Sequence, residues 1–227
     1  MNVIESIDNP RLIANGLKHM VYEKTLGEPS WFRIAREAHL VLYRSMVEAV
    51  RGSANLAVTG RFPKKPVFQC QQGDGPWAEI RRVDVPGCRK AWRFSAPVPI
   101  EPPNLTLPRA EEPADRLVGF YDVLAMIQTR CFMGQVMHSR VVPVDDEAMA
   151  TLEWLHESIR NAYEHFVPKH SSASVQELLA ASALCLQLAG DLLFRSGNVR
   201  LEPPLADELQ DLFQRAVSQG SLGGEVM

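Results

Sequence analysis

The sequence predicts a mainly α protein, an up-and-down helical bundle with a small antiparallel β insertion. Three observations lead there. Long stretches at both ends place apolar residues three and four apart, the period of an amphipathic helix. Between about Ala57 and Ile100 that period gives way to short β-branched and aromatic runs punctuated by Gly and Pro. The connections between the helical stretches are short, as in a bundle.

In chain order, Asp8-Asn9-Pro10 opens the first helix, with a polar cap and then proline in the first turn. Leu12, Ile13, Leu17, Met20 and Val21 follow at helical spacing, and Gly27, Pro29 and Ser30 end the segment. A second helix is expected from about Trp31 to Val50, with Ile34, Ala38, Val41, Leu42, Ser45, Met46 and Ala49 on its apolar stripe. Arg51-Gly52 stops it. Strands are expected at Val67–Cys70, Trp77–Val85 and Ala91–Phe94. Pro86-Gly87 fits a type II turn, where glycine supplies the positive φ. Pro97 to Pro113 reads as an extended linker. Helices resume at about Ala114, where Leu117, Phe120, Tyr121, Leu124, Ile127 and Cys131 share a face. Asp145 caps the next helix, which runs to about Val167 and ends at Pro168. Ser172 to Phe194 and about Leu205 to Gln219 complete the set. The expected organisation is a single helical-bundle domain over residues 1–227, with a basic β-rich insertion at about 57–113 and a loose tail from about residue 220.

Composition narrows the class. The 227 residues are 46% hydrophobic and 22% charged, enough for a real core and unlike a disordered chain. The formal charge of -3 counts against a dedicated nucleic-acid coat while leaving room for a local basic patch. No basic start followed by an apolar run marks the N-terminus as a signal peptide. The apolar region Leu178–Phe194 is interrupted by Ser182, Gln187, Gly190 and Asp191 and reads as a core helix, so no membrane partner is expected. The four cysteines, Cys70, Cys88, Cys131 and Cys185, form no CxxC pair; free thiols and a cytoplasmic location are expected, and no metal or other cofactor.

The sharpest chemical feature is Ile159-Arg160-Asn161-Ala162-Tyr163-Glu164-His165-Phe166. At about 100° per residue, Leu152, Leu155, Ile159, Ala162 and Phe166 face one side, and Arg160, Asn161 and His165 the other. This arrangement resembles the R-x4-H signature of the HEPN superfamily, with a polar residue directly after the arginine and a core helix following. The resemblance covers mainly Asp145 to Phe194. It implies a metal-independent endoribonuclease or a non-catalytic relative, with two signatures meeting across a homodimer and Arg160, Asn161 and His165 as the catalytic set. The chemistry is coherent. A histidine exchanges protons near neutrality, and an arginine offers a planar fork of donors to phosphate oxygens. The bland reading stands beside it, because Arg160 and Glu164 are an i,i+4 pair of the kind common on solvated helix surface. His156, four residues before Arg160, reads either as a neighbour of the same site or as a surface histidine; Glu153 and Glu157 read as solvated charges.

The insertion is the second candidate. Between Ala57 and Ile100 eight basic residues face three acidic ones, and Phe62, Phe68, Trp77, Trp92 and Phe94 are interleaved. Basic side chains beside aromatic platforms suit single-stranded RNA, with Arg81, Arg82, Arg89, Lys90 and Arg93 as the contacts. The alternation Trp92-Arg93-Phe94 equally fits a sheet with aromatics buried and charges wet. Three functions remain in play: a HEPN-like homodimer acting on RNA, a non-catalytic interaction or regulatory protein of a defence or toxin–antitoxin system, and a small-molecule-binding bundle.

Overall fold

The computed structural model describes residues 8–51, 67–71, 75–102, 117–134, 136, 138–160 and 172–218, the side chains of Ile159 and Arg160 excepted. Among these residues the protein is mainly helical with one small antiparallel sheet, as the sequence predicts. The helices are α1 (Asn9–Lys24), α2 (Trp31–Val50), α3 (Phe120–Met126), α4 (Arg130–Met133), α5 (Asp146–Trp154), α6 (Val175–Gly190) and α7 (Pro203–Ser218). Two π-helical turns, Leu155–Arg160 and Asp191–Arg195, continue α5 and α6. The strands are β1 (Val67–Gln71), β2 (Trp77–Asp84), β3 (Trp92–Phe94) and β4 (Val98–Pro99). The chain forms two compact units: Met1–Ser45, Trp154–Gly190 and Arg200–Met227 in one, Met46–Glu153 and Asp191–Val199 in the other. The β insertion thus belongs to a unit that also takes in α3, α4 and α5.

In the first unit α1 packs against both α2 and α7. Asp8 caps α1, its Oδ1 accepting from the Arg11 N–H at 2.9 Å. Ile13, Leu17 and Met20 are fully buried, as are the α2 stripe residues Ala38, Val41 and Leu42. A Cβ on Gly16 would lie 2.9 Å from Val41 Cγ2, so glycine permits the close approach of α1 to α2. Between these helices Arg44 donates to the Leu12 carbonyl at 3.0 Å. Burial lowers the Arg44 pKa, while the nearby Glu37 carboxylate raises it. A capping box starts α6: the Ser174 N–H and hydroxyl donate to Glu177 at 2.8 and 2.7 Å, and the Glu177 N–H donates back at 3.1 Å.

In the second unit β2 is the central strand. β1 pairs with one side of it, with Val67 opposite Arg81 and Gln71 opposite Trp77. On the other side β3 pairs Phe94 with Arg82 and Trp92 with Asp84. β4 then pairs Pro99 with Ala78 and Val98 with Glu79. The register slips by one residue between β3 and β4. Ser95 fills the break, its N–H donating to the Arg81 carbonyl at 2.8 Å and its hydroxyl accepting from the Arg81 N–H at 3.1 Å. The expected linker at Pro97–Pro113 therefore begins as an edge strand, a position where proline's missing N–H is tolerated; residues 103–116 lie outside the described set. The turn before β3 is as predicted: Gly87 has φ +79° and the Cys88 N–H donates to the Val85 carbonyl at 3.1 Å.

Trp92, Phe94 and Ile80 pack on Ala125 of α3, with Phe68, Tyr121 and Phe132 around them. Phe94 meets Trp92 edge-on at 4.8 Å and stacks on Phe132 at 5.4 Å.

Three expectations need correction. The thiols are not all free: Cys70 of β1 is disulfide-bonded to Cys131 of α4 beside this aromatic cluster, leaving Cys88 and Cys185. Sequence spacing hid the pair because the two lie 61 residues apart and meet only when the sheet packs on its helices. The expected helix through Leu117–Cys131 is two short helices, and Leu117 is exposed. The expectation for the apolar helix needs no such correction: Val175–Arg195 is long and apolar enough to cross a membrane by length and hydropathy alone, a test that core helices also pass, and half of it is buried inside the protein. From Leu155 to Arg160 the uniform α-helical projection does not hold, because the turn is π-helical; Asn161 to Phe166 lie outside the described residues.

Candidate functional site

Arg160, the first residue of the polar signature, is the last residue of the π-helical turn that follows α5. Asp145 caps α5, accepting from the Ala148 N–H at 2.8 Å, and Asp146 and Glu147 lie in the first turn, at the positive end of the helix. Leu152 and Leu155 are fully buried, as the stripe requires. From Leu155 to Arg160 the helix is a π-turn, whose i→i+5 bonding makes each turn wider. Positions from His156 to Arg160 are therefore rotated from the azimuths that about 100° per residue assigns. Arg160 ends this turn with its backbone described. Its side chain, and Asn161 and His165 altogether, lie outside the described residues.

His156 falls inside the π-turn and is half-buried. Its Nδ1 is 3.0 Å from Nε2 of His39, which is 1% exposed on α2. The ring centroids are 5.0 Å apart and tilted by 37°. His156 is thus not an ordinary surface histidine. Nothing in the sequence marks His39 as its partner, since the two are 117 residues apart.

Glu153, the penultimate residue of α5, is not a solvated charge either. Its carboxylate accepts the backbone N–H groups of Arg89, Lys90 and Ala91 at 2.8, 2.9 and 2.7 Å. Burial pushes its pKa up, but the N–H donors of Ala91, Arg89 and Lys90, with the Lys90 charge, outweigh that and hold it below the usual carboxylate value. The loop carrying two candidate RNA contacts is thereby clamped to α5. Cys88 lies in the same neighbourhood; burial, then Glu153 and Asp146, push its thiol pKa up, against a smaller lowering by Arg93.

The candidate RNA-binding residues divide. Arg89 and Lys90 have exposed side chains. Arg81 is exposed but paired with Glu79 at 2.8 Å. Arg82 lies over the Trp92 ring at 4.3 Å, a cation–π contact on the core-facing side of the sheet. Arg93 pairs with Asp146 at 2.6 Å, tying β3 to the start of α5. Trp92 and Phe94 are buried, so they pack as core and present no open stacking face. Among the described residues, no group of three or more His, Cys, Asp or Glu side chains gathers to hold a metal ion. A cleft of about 170 Å³ between α1 and α2 is lined by His19, Tyr22, Glu23, Arg33, Arg36 and Glu37 together with Met20 and Ile34, and it is open to solvent rather than a closed cavity.

Comparison with protein-family models, with curated proteins and with solved structures finds no match.

Proposed function

We propose that this chain is a HEPN-like protein that acts on RNA, a metal-independent endoribonuclease leaving 2′,3′-cyclic phosphate ends. The observation that carries the reading is the sequence run Arg160-Asn161-x3-His165, whose arginine is the last residue of the π-turn that follows α5. π-Turns are costly interruptions of a helix and occur often at functional sites. In this reading Arg160 stabilises the charge that builds on the phosphorane, His165 removes the proton of the RNA 2′-hydroxyl, and Asn161 orients one of them. The working form is a homodimer that joins two signatures, in the cytoplasm.

The alternative is a non-catalytic helical interaction or regulatory protein of a defence or toxin–antitoxin type. One observation favours it: Arg81, Arg82 and Arg93 are engaged within the protein, and the aromatics beside them are buried, so the sheet offers fewer free contacts to RNA than its composition promises. Incubation with a mixed RNA pool in EDTA separates the two. The ribonuclease reading expects fragments with 2′,3′-cyclic phosphate or 3′-phosphate ends; intact RNA overturns it. Light scattering checks the assembly, with a dimer mass expected and a monomer at high concentration opposing a composite site.

A further inference from the structure

Two of the aromatic rings against Phe94 come from the two elements that the disulfide joins. Phe68 of β1 meets Phe94 edge-on at 5.3 Å, and Phe132 of α4 stacks on it at 5.4 Å. Cys70 stands two residues after Phe68, on the same face of β1, and Cys131 directly precedes Phe132. We propose that Cys70–Cys131 is a redox latch. Oxidised, it closes β1 and α4 over the aromatic cluster; reduced, it lets these two elements open while β3 stays packed on α3.

Four observations favour a latch that opens over a fixed staple. The bond is within reach: Cys70 and Cys131 are both partly exposed, and exposed disulfides are the ones that exchange readily with thiols in solution. The elements it joins are poorly able to hold themselves. α4 is a single turn of four residues, too short to persist without tertiary contacts. β1 is the edge of the sheet among the described residues, and one ladder to β2 is marginal on its own. The core beneath has its own supports: Ile80, Trp92 and Phe94 are buried against Ala125, and β3 and the loop before it are tied to α5 through Arg93–Asp146 and Glu153. Finally, neither remaining cysteine is placed to exchange with the pair. Cys185 is fully buried in α6. Cys88 follows Val85, and Val85 is seven residues on from Ala78, the partner of Cys70, which along a strand is roughly 23 Å.

The reductant is a small thiol, glutathione, and the step balances. One glutathione thiolate attacks a sulfur of the pair, the S–S bond breaks and a mixed disulfide forms; a second glutathione thiolate then displaces the protein sulfur. In total two glutathione thiols lose two electrons and two protons and become one glutathione disulfide. Cys70 and Cys131 gain them and become thiols. Excess glutathione disulfide reverses each step. The opening uncovers an apolar surface, because Phe68 and Phe132 leave the ring of Phe94.

Amide hydrogen exchange of the full chain tests the latch. Oxidised protein is compared with protein held in excess reduced glutathione, without denaturant. Reduction should speed exchange by about tenfold or more in β1 and at Phe132, Met133 and Gly134, whose N–H groups bond within the α4 turn. Exchange in β3 and α3 should stay within about twofold of the oxidised protein. Glutathione disulfide should restore the slow rates. The double variant Cys70→Ser, Cys131→Ser should exchange fast in the same two segments in either buffer, and Cys88→Ser should behave as wild type. If the double variant fails to fold, the reduced wild type decides. Unchanged exchange in β1 and α4 on reduction overturns the inference, because the bond then holds nothing closed. Faster exchange through β3 and α3 as well overturns it too, because the bond is then a staple of the whole unit. So does a disulfide that glutathione reduces only after the protein is denatured.

Discussion

Removing the Glu153 carboxylate tests how the sheet unit is held together. In the structure that carboxylate accepts three backbone N–H groups at 2.7 to 2.9 Å and joins the loop before β3 to the end of α5. A hydrogen bond to a charged group contributes about 1.5–3 kcal/mol when well sheltered. Water reaches this site and can replace part of each bond, so the three together are expected to contribute about 2 kcal/mol rather than three full increments. Glu153→Gln keeps one acceptor oxygen but sets an NH2 group against donors, so about that much stability should be lost. Urea unfolding at neutral pH would show a lower midpoint with an unchanged slope. The pH dependence supplies a second check. The folded pKa of Glu153 lies below its unfolded value. Its contribution is therefore complete above about pH 4.3, the unfolded value, and is lost as pH falls through the folded one. The gap between wild type and Glu153→Gln should narrow in acid. Equal midpoints at neutral pH, or a gap that widens in acid, would refute the clamp.

Four further outcomes follow from the packing. Under non-reducing denaturing conditions thiol titration should find two of the four cysteines, Cys88 and Cys185, and all four after reduction; four without reductant would contradict the disulfide. Replacing Cys70 and Cys131 by serine should destabilise the sheet unit by up to about 4 kcal/mol, the chain-entropy value for a loop of 61 residues. Ser174→Ala should cost about 1 kcal/mol by breaking the capping box of α6, read as a lower thermal midpoint, and an unchanged midpoint would count against it. Gly134→Ala should lower the midpoint more, because its Cβ would lie 2.5 Å from the Arg130 carbonyl oxygen, a backbone atom that cannot simply turn away; a tolerated alanine would show that α4 ends differently.

The parts of the fold legible in the sequence are those set by local rules. The seven stripe positions of α2, from Ile34 to Ala49, are all buried, because a 3.6-residue period specifies one face without reference to anything else. Asp8, Asp145 and Gly87 do the jobs their residue types allow at a cap or a turn. The alternation Trp92-Arg93-Phe94 likewise reads through, with the two aromatics in the core. What stayed hidden depends on chain segments far apart. Cys70 meets Cys131, His39 meets His156, and Glu153 meets the Arg89–Ala91 loop only after the helices and sheet have packed. The π-turn at Leu155–Arg160 is a different kind of miss: a projection at fixed angle contains no term for a change in winding. Of the candidate site, the motif itself was readable, whereas the support beneath His156 was not.

The central proposal is that the signature beginning at Arg160, the last residue of this π-turn, cleaves RNA, and site-directed kinetics test it most directly. Purified wild type, Arg160→Ala and His165→Ala should be compared on one defined RNA in EDTA, with thermal midpoints measured alongside. Wild type should cut, each variant should lose about 100-fold or more in rate, and the midpoints should agree with wild type to within about 0.5 kcal/mol of stability. Variants that cut as fast as wild type, or a wild type that stops cutting once metal is chelated, would contradict the account.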